Sequence, residues 1–302
     1  MLSVKLKNYL HLHFLVFIAG FTAILGELIT IGSIPLVWFR MLIATLLMFF
    51  FLRLKKTNLN ISIETIVKFF IAGIVIALHW ITFFEAIKQS NISITLAMFS
   101  TGAFFASLIE PLFFKRKIIW YELLFGLMVI VGVWLIMHAE IQYLNGILLG
   151  VSSALLSTLF NIINGKFVKR YVATVISFYE FISGVLLITL YILLVGEGFT
   201  IEFFQLSNSD WLYLFILGSV CTAYAFIAAV YVMKYISPYT VVLTYNMEPI
   251  YGIILAILLF PSKEKMSIEF YIGAVIIFCT VILNGMLKNS KYSKGISSNK
   301  QS

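Results

Sequence analysis

Apolar residues run along this chain in long blocks, and polar residues gather in the short gaps between them. Blocks long enough to cross about 30 Å of hydrocarbon lie at roughly 9–29, 34–53, 65–87, 91–114, 118–137, 145–167, 172–195, 211–233, 237–260 and 268–287. The pattern predicts an all-α integral membrane protein of ten transmembrane helices. Helices are required because lipid cannot satisfy open backbone groups, and no block shows the alternation of a barrel strand.

The basic residues test that count. Lys5 and Lys7 precede the first block, and Arg53, Lys55 and Lys56 follow the second. Lys115, Arg116 and Lys117 join the fourth to the fifth, and Lys166, Lys169 and Arg170 join the sixth to the seventh. Lys234 lies between the eighth and ninth, and Lys288, Lys291, Lys294 and Lys300 follow the tenth. Ten crossings put all of these on one side. The other side keeps Lys88, Lys263 and Lys265 beside Glu140, Glu197, Glu202 and Asp210. The positive-inside rule then predicts that both termini are cytoplasmic.

Composition agrees with lipid as the solvent: 62% of the 302 residues are hydrophobic and 11% are charged, with a mean hydropathy of +1.04. The net charge of +8 is then a topology signal, and no nucleic-acid partner is expected. Cys221 and Cys279 both lie in apolar blocks, so they read as packing residues. The lysines ahead of the first block resemble a signal peptide, but nine more blocks follow, which makes this an uncleaved first span. The Ser/Lys-rich stretch 289–302 predicts a disordered cytoplasmic tail.

A shift of 147 positions lays Ser90 on Ser237, Leu96 on Leu243, Glu122 on Glu269 and Gly126 on Gly273. The match is faint, but it agrees with a five-plus-five division: a first repeat over 1–139 and a second over 140–288. An odd number of spans per repeat inserts the second copy upside down, an architecture that places a substrate site near the midplane. The same shift lays Thr101 on Glu248 and Gly102 on Pro249, so helix-weakening residues occupy matching mid-membrane positions. Pro249 is expected to free the carbonyl of Tyr245 from its helical bond.

Ionisable and polar residues inside the blocks are the candidates for function, because each is costly in lipid. Glu248 shares a helical face with Thr244, Tyr245, Tyr251 and Gly252. It reads either as a site carboxylate, for a proton or a substrate amine, or as a protonated side chain at a kink. Asn246 and Thr101 lie close to it in the repeat frame. Arg40, in the outer third of the second block, could pair with Glu27 or Glu85, as a structural pair or as a gate latch. In "LHWITFFEA", His79 is either a hydrogen-bonded packing residue or a proton relay, and Trp80 and Phe83 either pack or line a cavity. Glu180, beside Tyr179, is the second carboxylate candidate. Gly146, Gly150, Ser153, Ala154 and Ser157 share one arc of the sixth block, a small-residue packing face.

No HExxH, GxxxxGK[ST], GxGD or potassium-filter motif occurs, and no enzyme activity, metal or cofactor is expected. The chain resembles the drug/metabolite transporter superfamily, in particular its EamA-type ten-helix permeases. The resemblance rests on the five-plus-five layout, on "PLVWFRMLIATLLMFF" with Arg40, and on "NMEPIYGIILAILLF" with Glu248 and Pro249. "PSKE", 261–264, stands where the family's Leu-Gly-Glu is usual, and the Glu-Pro of "SLIEPLFFKRK" lies eight or nine residues late in the repeat frame. The resemblance implies alternating-access export or exchange of small metabolites, amino acids or related compounds among them, across a bacterial cytoplasmic membrane. Proton coupling through Glu248 and assembly as a homodimer both stay open. With Arg40 as the one clear mid-span cation, phosphate esters are disfavoured. The alternative is a sensor or assembly protein that keeps the transporter fold without transporting.

Overall fold

The computed structural model describes residues 4–115, 120–232, 235–236, 241, 244–245 and 247–298. Its helices are α1 (Val4–Leu28), α2 (Ser33–Leu54), α3 (Ile63–Gln89), α4 (Ile92–Phe99), α5 (Gly102–Phe114), α6 (Trp120–Ala139) and α7 (Leu144–Phe167). They continue as α8 (Ala173–Leu194), the short α9 (Ile201–Phe204), α10 (Asn208–Gly218), a π-helical turn (Ser219–Tyr224), α11 (Ala225–Val232), α12 (Glu248–Leu259) and α13 (Ile268–Ser298). No strand occurs among the described residues.

Eight of these helical stretches are long and apolar enough to cross a membrane, and Glu248–Leu259 and Ile268–Asn284 are shorter apolar helices. Polar caps start several of them. Ser62 accepts from the Thr65 amide, Asn91 from Ile94 and Ser207 from Asp210, each satisfying a donor that the first helical turn leaves open. Helix α13 continues to Ser298. Extending an existing helix costs far less than nucleating one, so a polar composition does not by itself end it.

Lipid-facing positions are large and apolar. Leu10, Phe14 and Phe17 of α1, Val67, Ile71 and Leu78 of α3, and Leu127, Ile130 and Trp134 of α6 are all exposed. So much exposed apolar area has no place on a water-facing surface. Inside, α3 packs on α7 and α8, α2 on α8, α1 on α12, α6 on α13, and the α4–α5 pair on α7. Exchanging the halves maps the main contacts onto others of the bundle. The α3–α8 contact becomes that of the α10–α11 stretch with α2, and the α4–α7 contact becomes that of α12 with α1.

Polar contacts show how the helices run. At one end Lys263 reaches Glu27 (2.6 Å), Thr30 reaches Asp210, and the amides of Ile92 and Ser93 donate to Glu264 (3.1 and 2.9 Å). At the other end Thr65 meets Tyr171 (3.0 Å) and Tyr179 donates to the Leu59 carbonyl (2.8 Å). Helix α1 therefore ends where α7, packed through Gly146 against Ser90, begins. Corresponding helices of the two halves run in opposite senses.

Asp210 fastens that first end. Its carboxylate accepts from the Thr30 amide (2.7 Å), the Thr30 hydroxyl (2.7 Å) and the Ser207 hydroxyl (2.8 Å). Asp210→Ala is expected to cost about 1–3 kcal/mol by orphaning these donors, read as a lower thermal midpoint of the purified protein. An unchanged midpoint would mean that the α1–α2 loop is held by other contacts.

Candidate functional site

Two of the spans are broken, and the breaks correspond. Helix α4 ends at Phe99, Ser100 and Thr101 form a turn, and α5 starts at Gly102. In the second half Met247 is the turn residue and α12 starts at Glu248. The 147-residue offset superposes Ser100 on Met247 and Thr101 on Glu248. Pro249 is not a kink inside a helix, as expected from the sequence. It sits in the first turn, where the amide hydrogen it lacks would have had no helical partner. Glu248 is therefore at a helix N-terminus, where the helix dipole favours an anion.

Arg40, on α2, is packed between elements of both halves. It is only 4% exposed. Its guanidinium lies over the Trp80 ring at 3.9 Å and near Phe84 at 5.6 Å, a cation–π arrangement from α3. Its Nε donates to the Thr222 hydroxyl at 2.9 Å. Nη1 is buried without a hydrogen-bond partner. Glu248 and Cys221 lie within electrostatic reach of the guanidinium, and Tyr245 within reach of Glu248. Four elements converge here, two from each half: α2, α3, the π-helical turn and α12.

The backbone around this cluster explains its position. Thr222 donates its own proton to the Leu217 carbonyl (2.7 Å), five residues back, which is the spacing of a π-helix. Its oxygen is thereby left to accept from Arg40. Gly218 lets α10 close on the backbone of Arg40, because a Cβ there would lie 3.2 Å from the Arg40 carbonyl. Glu248 is held similarly: a Cβ on Gly20 would lie 2.9 Å from the Gly252 nitrogen and 3.0 Å from the Glu248 carbonyl.

Other expectations meet a mixed outcome. Arg40 does not pair with Glu27 or Glu85. Glu27 takes Lys263 and Glu85 accepts from Ser33 and Gln89, so nearer donors satisfy both acids and leave Arg40 to turn inward. The His79 imidazole clasps α3 to α7, with Nδ1 2.9 Å from Ser153 Oγ and its ring stacked on Phe99. Phe83 packs among Phe84, Phe99 and His79. Thr101 is buried and donates to the Met98 carbonyl of its own turn (2.7 Å). Asn246 lies outside the described residues.

Glu180 and Tyr179 do not join the Arg40 cluster. Glu180 is fully buried on α8, accepts from Asn164 Nδ2 at 2.8 Å, and lies where Gly73 of α3 touches its backbone. Tyr179 is at the Leu59 end of the bundle. Thr222 and its π-helical turn were not anticipated as part of the site, since one inserted residue leaves the apolar pattern of the span almost unchanged.

A cavity of about 330 Å³ opens at the Glu27 end, lined by Glu27, Lys88, Asn91, Lys263 and Glu264. It lies between loops of the two halves, away from Arg40. The Glu27 carboxylate raises the pKa of the Lys263 ammonium above its ordinary value. The pair therefore persists as pH rises through the ordinary lysine range and is lost only above it. No group of three or more His, Cys, Asp or Glu side chains suited to a metal gathers among the described residues.

Comparison with known proteins agrees with this architecture. One solved structure, titled only as the crystal structure of a protein, superposes with a TM-score of 0.62 over 93% of this chain and 96% of its own, at 15% identity. That likeness concerns the fold. No curated protein matches. The pattern of the EamA-like transporter family matches twice, over residues 7–138 and 144–286. The chain is a multi-pass membrane protein of the EamA-like transporter family, built from two copies of the family's repeat.

Proposed function

We propose that the chain is a secondary transporter of small metabolites, amino acids or related compounds among them, working by alternating access around Arg40 and Glu248. In this reading the chain crosses a bacterial cytoplasmic membrane ten times and keeps both termini in the cytoplasm. The observation that carries it is the buried Arg40, with Nη1 unpartnered, held by residues of both halves and within electrostatic reach of Glu248 at a helix start. A charge is retained at that depth only for a partner or a ligand. Trp80 and Tyr245 supply apolar walls and a hydroxyl. Export or exchange is the expected direction, and Glu248 is the candidate for carrying a coupled proton.

The test is flux in proteoliposomes, with substrates chosen by a thermal-shift screen of amino acids, amines and nucleosides. A ligand that binds the folded form raises its midpoint by mass action. Glu248→Gln is expected to abolish accumulation or its dependence on a pH gradient. Wild-type accumulation with an unchanged pH dependence would remove Glu248 from coupling. Ligand stabilisation without any flux would favour the sensor reading.

At the Glu27 end the halves touch through Lys263 and Glu27, Asp210 and Thr30, and Glu264 and the start of α4. Alternating access requires these to part. A Glu27→Cys/Lys263→Cys pair, in a background with Cys221→Ala and Cys279→Ser, is expected to stop transport when cross-linked. Reduction is expected to restore it. Full activity while cross-linked would show that this end does not open.

A further inference from the structure

A second polar cavity lies between α5, α6 and α13, apart from the Arg40 cluster. It is about 10 Å³ in volume and lined by Ser107, Glu122, Thr280 and Asn284 among apolar neighbours that include Phe104 and Val129. All four polar side chains are buried, with exposures of 3%, 1%, 2% and 8%. Such a group inside a membrane bundle marks a partner or a ligand.

The hydrogen bonds decide what kind of ligand. Ser107 donates its hydroxyl proton to the Phe104 carbonyl (2.7 Å), and Thr280 donates to the Ile276 carbonyl (2.6 Å). Both protons are thus committed to the residues' own helices, and the hydroxyl oxygens keep only lone pairs for the cavity. Asn284 Oδ1 is buried without a hydrogen-bond partner. Glu122 adds a carboxylate, whose two oxygens offer several acceptor positions even when one is engaged. The cavity is too small for an organic molecule and is close to the least volume that holds one water.

We infer that this cavity is a binding site for a small monovalent cation of sodium size, coordinated by the oxygens of Glu122, Asn284, Ser107 and Thr280. Hard cations of this kind take carboxylate, amide and hydroxyl oxygens as ligands. A carboxyl group set among further oxygen acceptors suits a cation better than a neutral water. The two halves differ here: Glu269, the repeat counterpart of Glu122, is exposed at the start of α13. This inference does not depend on the transport reading.

The test is the thermal midpoint of the purified full chain in sodium chloride against choline chloride at equal ionic strength, with equilibrium binding of radioactive sodium measured alongside. Sodium is expected to raise the midpoint by about 2–4 °C for each tenfold increase above its dissociation constant, while the radioactive-sodium isotherm saturates. Caesium chloride is expected to behave as choline does, because the cavity excludes the larger ion. Ser107→Ala and Glu122→Gln are expected to lose the sodium increment, and Glu269→Gln to keep it. If Glu122→Gln does not fold, Ser107→Ala and sodium binding to the unaltered protein decide the matter. Equal midpoints in sodium, caesium and choline, an increment that survives Ser107→Ala, or no saturable sodium binding would overturn the site and leave a water there.

Discussion

Arg40→Met is expected to lower the thermal midpoint more than the double variant Arg40→Met/Glu248→Gln does, and both are expected to abolish transport. The reason is charge balance in a dry environment. Arg40 is held by Trp80 and Thr222 and compensates Glu248 electrostatically. Removing the cation alone leaves the Glu248 carboxyl without the positive charge that favours its ionised form, which is expected to lower the midpoint. Removing both charges leaves near-isosteric neutral groups, and buried pairs replaced this way are often neutral in stability. Thermal unfolding in detergent measures the first comparison and proteoliposome flux the second. Equal midpoints for the single and double variants would mean that Arg40 and Glu248 do not depend on each other.

Gly20→Ala is expected to damage both stability and transport, although the residue touches no substrate. A Cβ at Gly20 would meet backbone atoms of Gly252 and Glu248, and backbone cannot rotate away as a side chain can. Helix α12 must move, and Glu248 moves with it. Overpacking of this kind costs about 1–3 kcal/mol, and Gly20→Leu is expected to cost more. The Gly132–Gly273 crossing of α6 and α13 is the comparison, since a Cβ on either would meet the other's carbonyl at 2.9 and 2.7 Å. Gly132→Ala is expected to destabilise by a similar amount while the surviving folded protein keeps its substrate affinity. Thermal midpoints and ligand titrations on the same samples separate the two effects. Equal loss of affinity in both variants would show that Gly20 has no special link to Glu248.

Lipid is the reason that so much of the fold was legible. Each span must close its backbone hydrogen bonds within itself, so an apolar block of sufficient length can be read as a helix with no knowledge of its neighbours. The turns at Ser100–Thr101 and Met247 lie beside Gly102 and Pro249, which the 147-residue offset pairs: repeats keep their irregularities in register. Side-chain partners were harder. Depth along a span brings Arg40 near Glu27 and Glu85, but it does not reveal that Lys263 and Ser33 reach those acids first. The π-helical turn that presents Thr222 has no periodicity of its own. Glu264, read as part of a departure from the family's pattern, caps the start of α4 through two amides. That partnership joins residues from opposite halves of the chain, so no local pattern points to it.

Accessibility at position 248 tests the account most directly and requires no known substrate. Glu248→Cys, in the background with Cys221→Ala and Cys279→Ser, would be exposed to a small charged thiol reagent on each side of oriented vesicles. Labelling from the Tyr171 side is the predicted result, with labelling from the Glu27 side appearing once Lys263→Glu breaks the contact with Glu27. A thiol that reacts only with a lipid-partitioning maleimide, and with the charged reagent from neither side, would place this position against lipid and contradict a water-reachable centre shared by the two halves.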